Sequence, residues 1–242
     1  MTNIALQMYS LREHLDSDIG ETLKKVAACG FYGVEFAGYY DLSKETMKQY
    51  LEDAGLVAVS SHIPLERLLN HLDEEIEYNL HLGNHEAVCP FAPLKTQADA
   101  LTLAEQLAPV AQACKDAGLR LSYHNHSHEF VSEGGVTFWQ TLLDNCPALY
   151  AQLDCFWAAC ADANPLDLIG QYAGRISMIH VKELGEGPDK PNVVVGEGVM
   201  QWPEIFQAAK AQGATEFIIE QEGFPREPYE CLKTGVANII NL

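Results

Sequence analysis

The chain has 242 residues, 48% of them hydrophobic and 20% charged, which is enough apolar material for a sizeable buried core and excludes wholesale disorder. A formal net charge of −19 argues against a nucleic-acid backbone or an anionic membrane surface as the main partner. The 7 cysteines form no C-x-x-C pair, residues 1–4 lack signal-peptide features, and no apolar run nears the roughly 20 residues that span a bilayer. Buried free thiols, a cytoplasmic location and no membrane partner are therefore expected.

Residues 4–9 are the first predicted strand. Residues 18–29 follow with helical periodicity, Ile19, Leu23, Val26 and Ala27 sharing a stripe that Gly30 stops. Gly33–Ala37 is the next strand and carries the charge of Glu35. Ser43 fits the N-cap of a helix over 43–54, with Gly55 as its stop. Residues 56–60 form a strand that delivers His62 just past its end. A helix over 70–82 precedes the strand run 87–91, and an alanine-rich helix over 97–117 closes at Gly118. It leads into Leu121-Ser122-Tyr123-His124-Asn125-His126-Ser127-His128-Glu129-Phe130, where three histidines and a glutamate follow a strand-like run. Strand periodicity puts His124 and His126 on one side. Further on come a helix over 137–146, a strand over 149–153 that presents Asp154, and a helix over 165–172 with an early proline. A strand over 176–179 presents His180, and residues 185–198 form a loop rich in Gly, Pro and charge. A helix over 202–212, a strand over 217–219 that presents Glu220, and a helix over 227–241 complete the chain.

Eight strand candidates thus alternate with eight helices, and no linker-like gap divides them. Such alternation forces parallel pairing through crossover helices, and this number and length match a single α/β domain, a (β/α)8 TIM barrel over residues 1–242. A doubly wound open sheet is the alternative, but neither G-x-G-x-x-G nor G-x-x-x-x-G-K-[ST] is present to support it.

Glu35, His62, His124, Asp154, His180 and Glu220 all fall at or just past the end of an apolar run. In a barrel those ends converge on one face, where active sites of this fold are built. Each alone could be a rim residue or a strand-end cap. Together they make sense around a cation and a polar substrate, because a buried charge must be paired, metal-bound or wet. Imidazole with carboxylate suits Mn²⁺, Co²⁺, Zn²⁺ or Mg²⁺. The surplus of carboxylates and the isolation of Arg12 and Arg175 disfavour a phosphorylated substrate.

Several blocks resemble the xylose-isomerase-like sugar isomerase/epimerase superfamily: Gln7-Met8-Tyr9-Ser10-Leu11-Arg12, Gly33-Val34-Glu35, Tyr123-His124-Asn125-His126, Leu153-Asp154-x-x-Trp157, His180-Val181-Lys182 and Ile219-Glu220. The resemblance implies a divalent metal held by His124, Asp154, His180 and Glu220 at the ends of strands five to eight. Epimerase-like members carry glutamate where this chain has His124, and Glu129 is the candidate to replace that second carboxylate. The implied chemistry is proton abstraction next to a carbonyl of a small-molecule sugar. Glu220 or Glu129 takes the proton, and His126, His62 or Lys182 serves as donor, with Glu35 among the candidate catalytic residues. An isomerase or epimerase is the first expectation. A dehydratase or lyase, including one that cleaves 3-keto-glycosides, is the second, and a non-catalytic sugar-binding barrel the third. A DNA-repair endonuclease is disfavoured by the charge and by too few additional metal-site histidines. A homo-oligomer is left open.

Overall fold

The computed structural model describes residues 2–242; Met1, where the expected domain begins, lies outside them. The strand segments are apolar along most of their length because both of their faces are covered. In β1 (Ile4–Gln7), Ile4 and Leu6 face the helical layer, whereas Ala5 and Gln7 turn into the barrel. The same division runs through β2 (Gly33–Ala37), β3 (Val57–His62), β4 (Glu86–Cys89), β5 (Arg120–His124), β6 (Tyr150–Asp154), β7 (Ile176–Val181) and β8 (Glu216–Ile219). All eight pair in parallel and close in the order β1-β8-β7-β6-β5-β4-β3-β2, the barrel expected from the alternation.

Helices follow the strands, and side-chain caps fix the starts of most of them. Asp18 caps α1 (Ile19–Ala28), Ser43 caps α2 (Lys44–Ala54), and Thr96 and Thr137 form capping boxes. Each cap is worth about 1 kcal/mol. Gly55 stops α2 at φ 69°, a left-handed conformation that costs glycine little. The helix predicted over 70–82 is preceded by another: α3 (Leu65–Asn70) and α4 (Leu72–Leu82) meet at His71. A six-residue helix leaves too little periodicity to be seen in the sequence. α5 (Gln97–Asp116) and α6 (Phe138–Asn145) lie where predicted. α7 (Cys155–Cys160) was not predicted and starts directly on Asp154, whose side chain caps it. α8 (Pro165–Gln171), α9 (Trp202–Ala211) and α10 (Pro228–Ile239) complete the helical layer. Among the described residues, no helix is long and apolar enough to cross a membrane.

Two register shifts aim the site residues. Between β2 and β3 the pairing runs Val34 with Ala58, then Glu35 with Ser60, so β3 carries an extra residue at Val59. Between β6 and β7 it runs Ala151 with Ile176, then Gln152 with Met178, which leaves Ser177 as the extra residue. Bulges of this kind re-aim side chains beside active sites. Here they turn Ser60, His62 and His180 into the barrel. Beneath that layer Ala5, Val59, Val88, Met178 and Ile218 form an apolar plug.

Below the plug, Glu86 is buried and its pKa is pushed up to about 8. Burial outweighs the Arg120 guanidinium at 2.7 Å, and Glu216 and Glu35 add repulsion. Because the folded value lies above the ordinary 4.5, the folded state holds an extra proton between those pH values. The contribution of Glu86 to stability is then complete below about pH 4.5 and is lost as pH rises through about 8. Glu86→Gln should therefore stabilise the protein by about 2 kcal/mol at pH 9, with the gain shrinking toward pH 5. Thermal melts of both proteins across that range check the sign.

Candidate metal centre and active site

Asp154 ends β6 with two different oxygens. Oδ1 accepts the Trp157 N–H at 2.8 Å and so caps α7. Oδ2 is buried with no hydrogen-bond partner. A bare carboxylate oxygen out of contact with water is costly, and burial raises the Asp154 pKa to about 7 despite the nearby Lys182 and His180. Around it stand His124 at the end of β5, His180 on β7 and Glu220 just past β8. Each of the four offers a ligand atom, and these atoms all lie within 4.8 Å of one another.

The histidines are oriented from behind. His180 Nε2 lies 2.7 Å from Glu35 Oε1, while its Nδ1 faces Glu220 Oε2 at 2.9 Å and Asp154 Oδ2 at 3.9 Å. If Nε2 donates to Glu35, the Nδ1 lone pair points among the other donors. That is the usual arrangement of a ligating histidine held by a carboxylate. Without a cation, the same two carboxylates demand a proton on each nitrogen. Burial would lower the His180 pKa, but Glu35 and Glu220 raise it to about 10. His124 Nδ1 meets Gln152 Oε1 at 3.0 Å, which leaves its Nε2 free. The charge deficit at His180, the orphaned Asp154 oxygen and the mixed nitrogen and oxygen donors all fit a divalent cation.

Glu35 takes a different place from the one expected of a catalytic group. Its oxygens receive Gln7 Nε2 at 2.7 Å, Gln152 Nε2 at 2.5 Å, and the Ser60 hydroxyl, in addition to His180 and His62 Nε2 at 3.1 Å. Burial would raise its pKa, but the two histidines hold it well below the carboxylate range. With its lone pairs occupied, Glu35 positions the histidines. Gln152 shares this task, since its Oε1 also lies 2.8 Å from His62 Nε2.

Glu129 does not reach the cluster. Strand parity turns Tyr123 outward while Ser122 and His124 face in, and Glu129 folds back to take the Tyr123 hydroxyl at 2.8 Å and the His126 N–H at 2.8 Å. Its expected role as the second carboxylate at the metal is therefore corrected: it is fully buried and braces the loop that carries His126. His128 leans the same way, with Nδ1 3.3 Å from Glu129.

Above the cluster opens a cavity of about 440 Å³, whose walls include His62, His124, His126, Glu220, Glu222 and Phe91. Burial lowers the His126 pKa to about 4, so its imidazole is neutral, and its Nδ1 is buried without a partner. Lys182 is fully buried against the Phe156 and Trp157 rings, 2.6 Å from Glu222 Oε1 and 4.0 Å from Glu220 Oε1. Burial would raise the Glu220 pKa, but Lys182 and His180 bring it down to about 2 and keep it ionised. Gln152, Ser60, Glu222 and Phe91 were not singled out from the sequence. Parity could have found two of them, since Gln152 lies two residues before Asp154 and Glu222 two after Glu220.

The model of one family, described as xylose isomerase-like TIM barrel, matches residues 23–236 of this sequence. The chain belongs to that family. Among solved structures it is similar to a sugar phosphate isomerase/epimerase from Parabacteroides distasonis ATCC 8503, with 24% identity over 97% of this chain and 92% of the other and a TM-score of 0.85. It is also similar to an L-ribulose 3-epimerase, with 18% identity, 100% and 94% coverage and a TM-score of 0.77. A third similar structure is an IOLI protein with a bound zinc atom, with 12% identity, 99% and 97% coverage and a TM-score of 0.79. At these identities the likeness concerns the fold. No curated protein sequence matches the chain.

Proposed function

We propose that the chain is a divalent-metal-dependent sugar isomerase or epimerase that removes a proton next to the carbonyl of a keto-sugar. The observation that carries this reading is the convergence of His124, Asp154, His180 and Glu220 on the floor of a sugar-sized cavity, with one Asp154 oxygen lacking any donor. The zinc in the IOLI protein and the activity given for the ribulose epimerase agree with it. Bound among these four residues, a divalent cation supplies the positive charge that polarises a ketone and offsets an enediolate.

The residues divide the remaining work. Glu220 is ionised and borders the cavity, so it serves as the base. Lys182 keeps it ionised from behind and is itself anchored by Glu222. His126 enters from just past β5, three strand positions from β8, and its neutral imidazole lines the cavity, where it holds a substrate hydroxyl or exchanges the proton on that side. His62 stays tied to Gln152 and Glu35, so its part is to shape the wall. Phe91, half exposed, gives an apolar face.

A second reading, elimination of water or an aglycone, is favoured by His124 in place of a second glutamate ligand: one base and one neutral imidazole suffice for a lyase. Incubating the manganese-loaded enzyme in D₂O with ketoses, inososes and 3-keto-glycosides tests both. Deuterium in recovered or epimerised sugar is the expected result, and loss of water or aglycone would favour the lyase. Binding without exchange or turnover of any member would contradict both and point to a binding protein.

A further inference from the structure

The mouth of the barrel holds a second cavity of about 410 Å³, which meets the first at Gly38, His62 and Pro64. Each falls within the roughly 300–1,000 Å³ of ordinary ligand sites, so together they exceed the needs of one sugar ring. The wall of the second cavity is built. Tyr39 and Tyr78 stack with ring centroids 3.8 Å apart and planes 16° apart. Both hydroxyls are pinned, Tyr78 donating to the Leu42 carbonyl at 3.0 Å and Tyr39 accepting from Asn79 Nδ2 at 2.9 Å.

The segment between the two cavities is strained. Gly38 has φ 90°, and Tyr40 and Asp41 follow at φ 55° and 56°, two consecutive non-glycine residues in the left-handed region. Such strain persists where the surroundings enforce it, and it clusters at ligand clamps. A Cβ built on Gly38 would meet nothing within 4 Å, so this backbone fronts open space where the cavities meet.

Charge limits the occupant. Among the residues lining either cavity, Arg67 of the second is the one lysine or arginine, and it is already paired with Glu74 at 3.0 Å and with the buried Glu75. Glu220, Glu222 and Asp41 add negative charge to the walls. Away from the proposed metal position, a phosphate would meet repulsion with no free cationic side chain, whereas sugar hydroxyls can donate to carboxylates.

We infer that the substrate is a neutral two-ring glycoside, its keto-sugar ring over the metal cluster and its second ring in the Tyr39–Tyr78 cavity. This rests on the reading of the site as a keto-sugar enzyme. Titration calorimetry of the manganese-loaded enzyme with D-fructose, D-fructose 6-phosphate and two glucosyl-fructoses, isomaltulose and turanose, tests it. At least one glucosyl-fructose should bind tenfold tighter than fructose, and the phosphate no tighter than fructose. Tyr78→Ala, and Leu42→Trp as a variant that fills the cavity while keeping the stack, should each cut the glucosyl-fructose preference at least fivefold. Equal binding of mono- and disaccharide, or tightest binding of the phosphate, overturns the two-ring inference. If fructose still exchanges its proton with D₂O, the reading of the site survives that result. If no sugar binds or exchanges, both fall.

Discussion

Glu220→Gln is expected to lower kcat by roughly 10²–10⁴-fold, the usual worth of a positioned general base. The substitution removes the basic carboxylate but keeps an oxygen for a metal and nearly the same volume. Glu220 is buried between His180 Nδ1 at 2.9 Å and Lys182 Nζ at 4.0 Å, so a neutral amide there loses ion-pair energy. Circular dichroism and a thermal melt establish that the barrel is retained, and metal analysis separates loss of the base from loss of the cation. A variant that keeps its metal and turns over at the wild-type rate would remove Glu220 from the chemistry.

The second large effect concerns the cation itself. Asp154→Asn and His180→Ala should each reduce bound manganese from about one ion per chain to less than roughly a tenth of that. Supporting residues alone cost 10–100-fold in metal affinity, and direct ligands cost at least as much. Asp154→Asn is the cleaner variant. Asparagine caps a helix as well as aspartate does, so α7 keeps its start while the orphaned charged oxygen is lost. His180→Ala leaves Glu35 and Glu220 facing an empty space and should also lower the melting temperature. A ligand that binds only the folded state at 100 times its Kd stabilises by about 2.7 kcal/mol. Added manganese should therefore raise the wild-type melting temperature and leave that of Asp154→Asn unmoved. Metal content equal to wild type in both variants would contradict the ligand assignment.

What could be read from the sequence follows from how each feature is encoded. Apolar runs and helical stripes are local patterns, and they gave the eight units of the barrel because each strand is buried on both faces. Asp154, His180 and Glu220 were visible as charges that end apolar runs, and the structure brings them together with His124. Glu129 was misplaced because nearness in sequence says nothing of which way a loop folds. The outward turn of Tyr123 decides that, and its hydroxyl draws Glu129 away from the cluster. Glu35 looked catalytic because a lone charge in a strand signals a site, yet five donors from four other strands make it a brace. Those partners are set by register, and the extra residues at Val59 and Ser177 leave no mark on composition or period.

The most direct measurement is an anomalous-scattering map from crystals soaked in manganese. The proposed site predicts one strong peak within bonding distance of His124 Nε2, Asp154 Oδ2, His180 Nδ1 and Glu220. His62, His124 and His180 also offer ligand atoms within 4.8 Å of one another. A peak on those three histidines without Asp154 and Glu220, or no peak at the barrel mouth, would contradict it.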